Sequence, residues 1–138
     1  MNSKNLSIDD IKVGDSASFS RVFTEKDVDT FAGLSGDFNP LHTDEEYAKT
    51  TKFKQRIIHG MLVGGLCSTL VGMYLPGKRC LYLGQTLSFK KPVYISDKLT
   101  IYGSVVYKSI ATKMLDIKIS IKNEKEEVVS GMATVQII

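Results

Sequence analysis

The sequence predicts an α+β protein in which an antiparallel sheet of about five strands wraps around one long buried helix. Residues 59–75 are apolar on nearly every side, which is typical of a buried helix. From residue 81 onward, apolar and polar side chains alternate in repeated short runs. Such alternation predicts antiparallel strands that bury one face.

Length and composition indicate one globular domain over residues 1–138, with 43% hydrophobic residues. The 18 basic and 15 acidic residues form no long block of one sign, and the net charge is +3. This balance argues against nucleic-acid binding and fits an anionic small molecule. No apolar run resembles a signal peptide or a membrane span, so we expect a cytoplasmic protein without a membrane partner. The two cysteines match no redox or zinc pattern.

The first half of the chain predicts a strand and two short helices. Apolar residues alternate between positions 17 and 23, which favours a half-buried strand. Thr24 and Asp27 have the spacing of a capping box, and Gly36 is well placed to end the helix that follows. Asn39-Pro40 breaks any helix, and acids from Asp44 onward favour a second short helix.

Residues 49–58 are basic and irregular, and their cations are expected on the solvated surface. They include Lys52, Lys54 and Arg56. These cations, with Lys90 and Lys91, could contact the phosphates of a carrier.

The predicted central helix carries Gly60, Gly64, Gly65 and Gly72. Each interior glycine costs roughly 1 kcal/mol against alanine. Close approach of the sheet to the helix would offset this cost.

Four strands are predicted after the helix, with their odd-numbered apolar residues covering it. Polar links at 96–97, 108–113 and 123–126 separate them, as hairpin turns would. The apolar residues are Leu81, Leu83, Leu87, Phe89, Leu99, Ile101, Val105, Tyr107, Leu115, Ile117, Ile119, Ile121, Val129, Ala133, Val135 and Ile137.

The polar turn at residues 35–44 holds the strongest candidates for chemistry. Asp37 and His42 lie five residues apart, and a carboxylate beside an imidazole can share one water and exchange protons with it. The alternative is that Asp37 caps local amides and that His42 is a surface residue. Asn39 suits a supporting role that holds the turn.

Other kinds of site are less well supported. Asp37, His42, Asp44 and His59 could be drawn as a metal site, but their spacing matches no established ligand pattern. Ser68 and Thr69 lack a Ser-His-acid pattern and are expected to bond a helix carbonyl one turn earlier. The helix glycines also lack the lysine of a phosphate-binding loop. We therefore expect neither a metal nor a cofactor.

Gly60 opens the central helix, where backbone N–H groups have no helical acceptor. With no side chain, it would let a ligand oxygen approach, as an oxyanion hole requires. A glycine needed only for packing or a tight turn is the alternative.

Three stretches together resemble the MaoC-like hydratases, and within them the short (R)-specific enoyl-CoA hydratases. The first two are Asp37-Phe38-Asn39-Pro40-Leu41-His42 and His59-Gly60-Met61-Leu62, and the third runs from Tyr82 to Val93. The resemblance implies the hot-dog fold, a homodimer with active sites at the subunit interface, and an acyl-CoA substrate. It also implies a hydro-lyase that reversibly hydrates trans-2-enoyl thioesters to (R)-3-hydroxyacyl thioesters without a cofactor.

The resemblance further implies roles for individual residues. Asp37 and His42 would hold the water, Gly60 would donate its N–H to the thioester carbonyl, and Asn39 and Ser68 would support them. Two alternatives remain, a 3-hydroxyacyl-[acyl-carrier-protein] dehydratase and a hot-dog module that binds acyl thioesters without chemistry. A thioesterase is less favoured because hydrolysis would need the water aimed at the carbonyl carbon.

Overall fold

A computed structural model describes residues 1–138, and five antiparallel strands form its single sheet. The strand order is β1-β3-β4-β5-β2, and all neighbours pair antiparallel. The predicted five-stranded antiparallel sheet is confirmed. The strands are β1 (Ser16–Val22), β2 (Cys80–Phe89), β3 (Lys98–Ser109), β4 (Met114–Lys122) and β5 (Glu127–Ile137).

Helical segments precede and cross this sheet. They are a 3₁₀ turn (Ile8–Asp10), α1 (Glu25–Ser35), α2 (Pro40–Thr43), α3 (Glu45–Lys49), α4 (Gly60–Gly64), α5 (Leu66–Thr69) and a π-helical turn (Leu70–Tyr74). Gly65 keeps helical dihedrals (φ −58°, ψ −21°), so residues 60–74 form one continuous unit, here called the central helix. None of these helices combines the length and the hydropathy needed to cross a bilayer.

The core lies between the central helix and the concave face of the sheet. Twenty-four buried apolar residues form one cluster, with Val63, Leu66 and Leu70 from the helix and residues from every strand except β1 and β2. Partly buried residues of β1 and β2 pack against it. A sheet wrapped around one helix is the hot-dog arrangement that the resemblance implies.

Two of the four helix glycines, Gly60 and Gly64, lie against β2 as predicted, whereas a Cβ at Gly72 would meet nothing within 4 Å and one at Gly65 only the backbone of its own helix. A Cβ at Gly64 would lie 2.8 Å from Leu87 Cδ1 of β2. On the sheet side, a Cβ at Gly103 of β3 would lie 2.2 Å from Leu70 Cδ2. Both separations are shorter than real carbon contacts, so a side chain at either position would force the facing leucine out of its place between helix and sheet.

The predicted orientation of β2 is wrong in its first half. Leu81 and Leu83 are 45% and 51% exposed, whereas Cys80 and Tyr82 pack against the core. A register shift between Tyr82 and Gly84 changes the face that points inward. A β-bulge reverses side-chain alternation in this way, and strict alternation over the whole strand could not predict it.

The central helix is also less buried than its sequence predicts. Met61 is 61% exposed, and Gly65 and Ser68 are exposed on the same side. Their spacing of four and three residues places them on one helix face. Leu34 of α1 is 83% exposed as well, although the apolar pattern of that helix predicts burial.

Helix ends follow the predicted signals. Thr24 and Asp27 form the capping box, with Thr24 N–H donating to Asp27 Oδ2 at 2.9 Å. Gly36 ends α1 with φ at +79°, a conformation that favours glycine. Asp44 caps α3 by accepting from Tyr47 N–H at 3.1 Å. The polar turn differs from the prediction because Pro40 begins the short helix α2, where its fixed φ is favourable.

Candidate functional site

Asp37 follows the left-handed end of α1 and is exposed. Its N–H donates to Ser35 Oγ at 3.2 Å, and its Oδ1 accepts from Asn39 N–H at 3.1 Å. These local bonds fix the carboxylate next to α1. Its Oδ2 makes no bond within the protein, so it can accept one from a bound water.

His42 lies on α2, which Asn39 caps by accepting from Leu41 N–H at Oδ1 over 3.0 Å. The Nδ1 of His42 lies 2.8 Å from the Ile57 carbonyl. Because a carbonyl only accepts, Nδ1 carries the hydrogen and donates it. In the neutral ring, Nε2 then has a free lone pair that can accept a proton.

His59 is a residue of this site that the sequence predicted only as a possible metal ligand. It is 2% exposed, and its Nε2–H donates to the Asp37 carbonyl at 3.0 Å. Its ring lies 4.0 Å from that of His42, tilted by 30°, and Phe31 contacts it edge-on at 4.9 Å. Nδ1 of His59 is buried without a hydrogen-bond partner. Its other sequence signal was its place directly before Gly60, in the second stretch of the family resemblance.

One ligand atom each from Asp37, His42 and His59 lie within 4.8 Å of one another. Each imidazole already uses one nitrogen on a backbone carbonyl. His42 Nε2 and His59 Nδ1 are the ring nitrogens that remain for another partner. A carboxylate beside an imidazole suits proton transfer. Asp44, the fourth candidate, caps α3 instead.

A cavity of about 360 Å³ opens beside His42 and Gly60. Its walls are mainly apolar, and the exposed Lys52, Lys90 and Lys91 lie at its rim. The Nζ of Lys90 contacts Glu127 Oε1 at 2.5 Å, and this bond lowers the pKa of Glu127. The remaining lining residues are Phe53, Ile57, Ile58, Val63, Phe89, Pro92, Val93 and Val129.

Gly60 is the first residue of the central helix and contacts the ring of Phe89. A Cβ at Gly60 would lie 3.0 Å from Cδ1 and Cε1 of that ring. The N–H of a first helical residue has no acceptor within the helix. Gly60 therefore combines a free donor with a narrow space in the cavity wall.

Ser68 is exposed on the central helix and does not line this cavity. Neither Ser68 nor Thr69 makes the predicted side-chain bond to a helix carbonyl, and Thr69 is half-buried. The two cysteines are unsuited to nucleophilic chemistry. Burial raises the pKa of the Cys67 thiol to about 11, and it also raises the pKa of Cys80.

Arg56 is buried, with 7% exposure, although the sequence predicts a solvated cation there. Its Nη2 lies 2.5 Å from Asp29 Oδ1, and its Nε donates to the His42 carbonyl at 2.5 Å. The prediction was wrong because both partners are distant in sequence. Lys52 and Lys54 are exposed as predicted.

The chain matches the family described as MaoC like domain over residues 10–128. It is 42% identical to the (R)-specific enoyl-CoA hydratase of Rhodospirillum rubrum over 129 residues, which cover 94% of this chain and 90% of that protein.

Two solved structures are also similar. The (R)-hydratase from Aeromonas caviae superposes with a TM-score of 0.90 at 40% identity, covering 93% of this chain and 98% of that one. The R-hydratase PhaJ1 from Pseudomonas aeruginosa superposes with a TM-score of 0.93 at 38% identity, covering 98% and 87% respectively. With this family match over most of its length, the chain belongs to the MaoC-like domain family.

Proposed function

We propose that this protein is an (R)-specific enoyl-CoA hydratase, a hydro-lyase that reversibly converts trans-2-enoyl-CoA to (R)-3-hydroxyacyl-CoA. The observation that carries the proposal is the juxtaposition of Asp37 and His42, each with a free acceptor atom, where His42 and Gly60 line a mainly apolar cavity. The relatives named hydratases support the choice of reaction.

Asp37 and His42 are the proposed catalytic pair. A water between them would donate one hydrogen to Asp37 Oδ2 and the other to His42 Nε2, which leaves an oxygen lone pair for C3 of the substrate. As the water attacks C3, Asp37 takes its proton and the double-bond electrons move toward the thioester oxygen. C2 then receives a proton from the coupled pair. The net change adds OH to C3 and H to C2.

Gly60 is the proposed oxyanion donor. Its N–H would stabilise the charge that develops on the thioester oxygen, an effect that is worth about 3–4 kcal/mol in other enzymes. Asn39 supports the site through its cap on α2. The resemblance also implies a supporting role for Ser68, which lies on the exposed face of the central helix.

The cavity supports an acyl chain joined to an anionic carrier. Apolar walls favour a hydrocarbon chain, and Lys52 and Lys91 at the rim favour phosphate groups. Coenzyme A offers both parts, as does the phosphopantetheine of an acyl-carrier protein. The (R)-specific enoyl-CoA hydratase relative favours coenzyme A.

A homodimer is the proposed assembly, with each active site near the interface. Large apolar side chains are exposed around Asp37, with Leu34 at 83% and Phe38 at 63%. Met61 is also exposed, on the outer face of the central helix, and β2 is an unpaired sheet edge with Leu83 exposed. Apolar surface of this kind marks an interaction site.

Residues 1–138 are proposed to form a single domain, because one buried cluster joins the central helix to the sheet.

A cytoplasmic location is also proposed. The two free cysteines support it, since thiols stay reduced in that compartment.

The deciding experiment follows the ultraviolet absorbance of crotonyl-CoA with the purified protein. Loss of the enoyl thioester signal without release of free thiol, and an (R)-3-hydroxybutyryl product by chiral chromatography, is the expected result. Release of thiol would indicate a thioesterase, and an (S) product would contradict the stereochemistry. Faster turnover of crotonyl-acyl-carrier protein than of crotonyl-CoA would favour the other carrier.

A further inference from the structure

Arg56 is a buried cation whose two contacts join separate parts of the site. The guanidinium reaches Asp29 of α1 with one nitrogen and the His42 carbonyl with another, both at 2.5 Å. Asp29 is 58% exposed at its side chain, whereas that of Arg56 is 8% exposed. A buried charge needs partners to offset lost hydration, and these two contacts supply them.

His42 needs support from outside its own helix. Four residues form α2, and so short a helix is not stable alone. The next residue along from Arg56 provides further support, because the Ile57 carbonyl accepts from His42 Nδ1 and the Ile57 N–H donates to the Leu41 carbonyl at 3.3 Å. Residues 56 and 57 thus hold both the backbone and the ring of His42.

We propose that Arg56 is a positioning residue for the reaction, because it fixes the His42 backbone so that the ring keeps Nδ1 on the Ile57 carbonyl and Nε2 free toward the substrate. This inference rests on the proposed function of His42. Arg56 itself contacts neither the cavity nor the reacting atoms.

Arginine suits this task better than lysine. Its planar group presents donors in fixed, diverging directions, so one side chain can hold a carboxylate and a carbonyl at a set angle. Lysine would concentrate its donors on one freely rotating atom. Arg56→Lys is therefore an intermediate variant, and Arg56→Met removes both contacts, to Asp29 and to the His42 carbonyl. Asp29→Asn weakens the contact to Arg56 from the exposed end, and Lys118→Gln removes an exposed charge on β4 as the control.

The experiment combines crotonyl-CoA kinetics with ¹⁵N NMR of the imidazole nitrogens. The chain has two histidines, so one His42→Ala spectrum assigns both. In wild type we expect His42 to carry its hydrogen on Nδ1. In Arg56→Met, the Nε2–H tautomer should gain population, and kcat should fall about 10–100-fold with misplacement of the ring. KM should stay within about threefold, because substrate contacts are unchanged.

Arg56→Lys should recover part of kcat, Asp29→Asn should lose a smaller part, and Lys118→Gln should match wild type in both measurements. Wild-type kcat and unchanged His42 signals in Arg56→Met would overturn the proposal. If Arg56→Met does not fold, wild-type kcat and unchanged His42 signals in both Arg56→Lys and Asp29→Asn would overturn the proposal. The NMR readout does not depend on turnover. A wild type without hydratase activity would therefore refute the proposed function. Altered His42 signals in the variants would still support the claim that Arg56 positions His42.

Discussion

Residues 37–42 and residues 56–60 face each other at the site and are built in opposite ways. The first segment is mostly exposed, with Asp37 and His42 each presenting a free acceptor. The second is largely buried and offers a guanidinium, a carbonyl, an imidazole and the start of the central helix. It holds the first through bonds to the carbonyls of Asp37 and His42 and to the ring of His42.

The difference separates two tasks. The exposed segment carries the groups that would exchange protons with water, which must remain reachable. The buried segment carries the groups that hold them, and burial makes those hydrogen bonds stronger because the local dielectric is low. The backbone of residues 57–58 is itself tied to the loop before β3, since Ile58 N–H donates to the Val93 carbonyl at 2.8 Å.

The largest expected effect comes from removing a reactive group of the exposed segment. Asp37→Asn and His42→Ala should each lower kcat about 10²–10⁴-fold, the usual range for a lost general acid or base. Both side chains are partly or fully exposed, so the melting temperature should change little. Crotonyl-CoA turnover and thermal denaturation measure the two effects. Asp9→Asn, at an exposed acid in the 3₁₀ turn, is the control, and near-normal turnover in both site variants would contradict the mechanism.

Gly60→Ala should have the next largest effect. Its Cβ would lie 3.0 Å from the Phe89 ring, so that ring, which lines the cavity, must shift beside the proposed oxyanion donor. We expect kcat/KM to fall about 10–100-fold, as misplacement at a reacting centre does.

Gly33→Ala is the matched control for that substitution. Gly33 lies inside α1 with no atom within 4 Å of an added Cβ. The variant should keep its activity and gain about 0.5–1 kcal/mol of stability from helix propensity. A second variant, Gly60→Ala with Phe89→Leu, should recover part of the lost activity. An equal loss in the double variant would place the cause elsewhere than Phe89.

His59→Phe tests the buried segment directly. Phenylalanine keeps an aromatic ring against His42 but removes the donor to the Asp37 carbonyl. It also removes the buried Nδ1 that has no partner. Loss of the hydrogen bond to the Asp37 carbonyl lowers stability, whereas loss of the unpaired buried nitrogen raises it. The free energy of unfolding should therefore change by less than about 1 kcal/mol. We expect kcat to fall about tenfold as Asp37 loses its anchor, and the two measurements are urea unfolding and steady-state kinetics. Unchanged kcat would remove His59 from the positioning role.

The smallest effect should come from the cavity rim. Lys91→Gln should raise KM for crotonyl-CoA about two- to fivefold without changing kcat, as loss of one exposed charge near phosphates would. The increase should shrink at high salt because exposed charges are screened. Lys118→Gln, on the outer face of β4, is the control. An equal effect on the crotonyl thioester of pantetheine, which lacks those phosphates, would contradict contact with the carrier.

The sequence predicted elements whose signals are local. The Thr24–Asp27 capping box, the Gly36 helix end and the alternation in β3 and β4 depend on residues a few positions apart. Asp37 and His42 could be predicted as a pair because the turn that holds them is also short. The family resemblance then linked them to Gly60, which lies far along the chain.

The contacts that the sequence did not predict depend on tertiary structure. The sequence around Arg56 predicts a surface cation, because its partner Asp29 on α1 is 27 positions away in the chain. His59 meets the Asp37 carbonyl across 22 positions. In β2, the bulge at residue 83 changes which side chains face the core without altering the alternating pattern of the sequence.

The walls of the cavity have a consequence for engineering. Val63, Phe89 and Val129 line the space proposed for the acyl chain, and their apolar side chains make no hydrogen bond to Asp37, His42 or the residues that hold these two. The pocket can therefore be widened or shortened by substitution while the proton-transfer groups stay in place. Chain-length preference is thus an adjustable property of this scaffold, and a library restricted to Val63 and Val129 would sample it while leaving Phe89 in place against the proposed oxyanion donor Gly60.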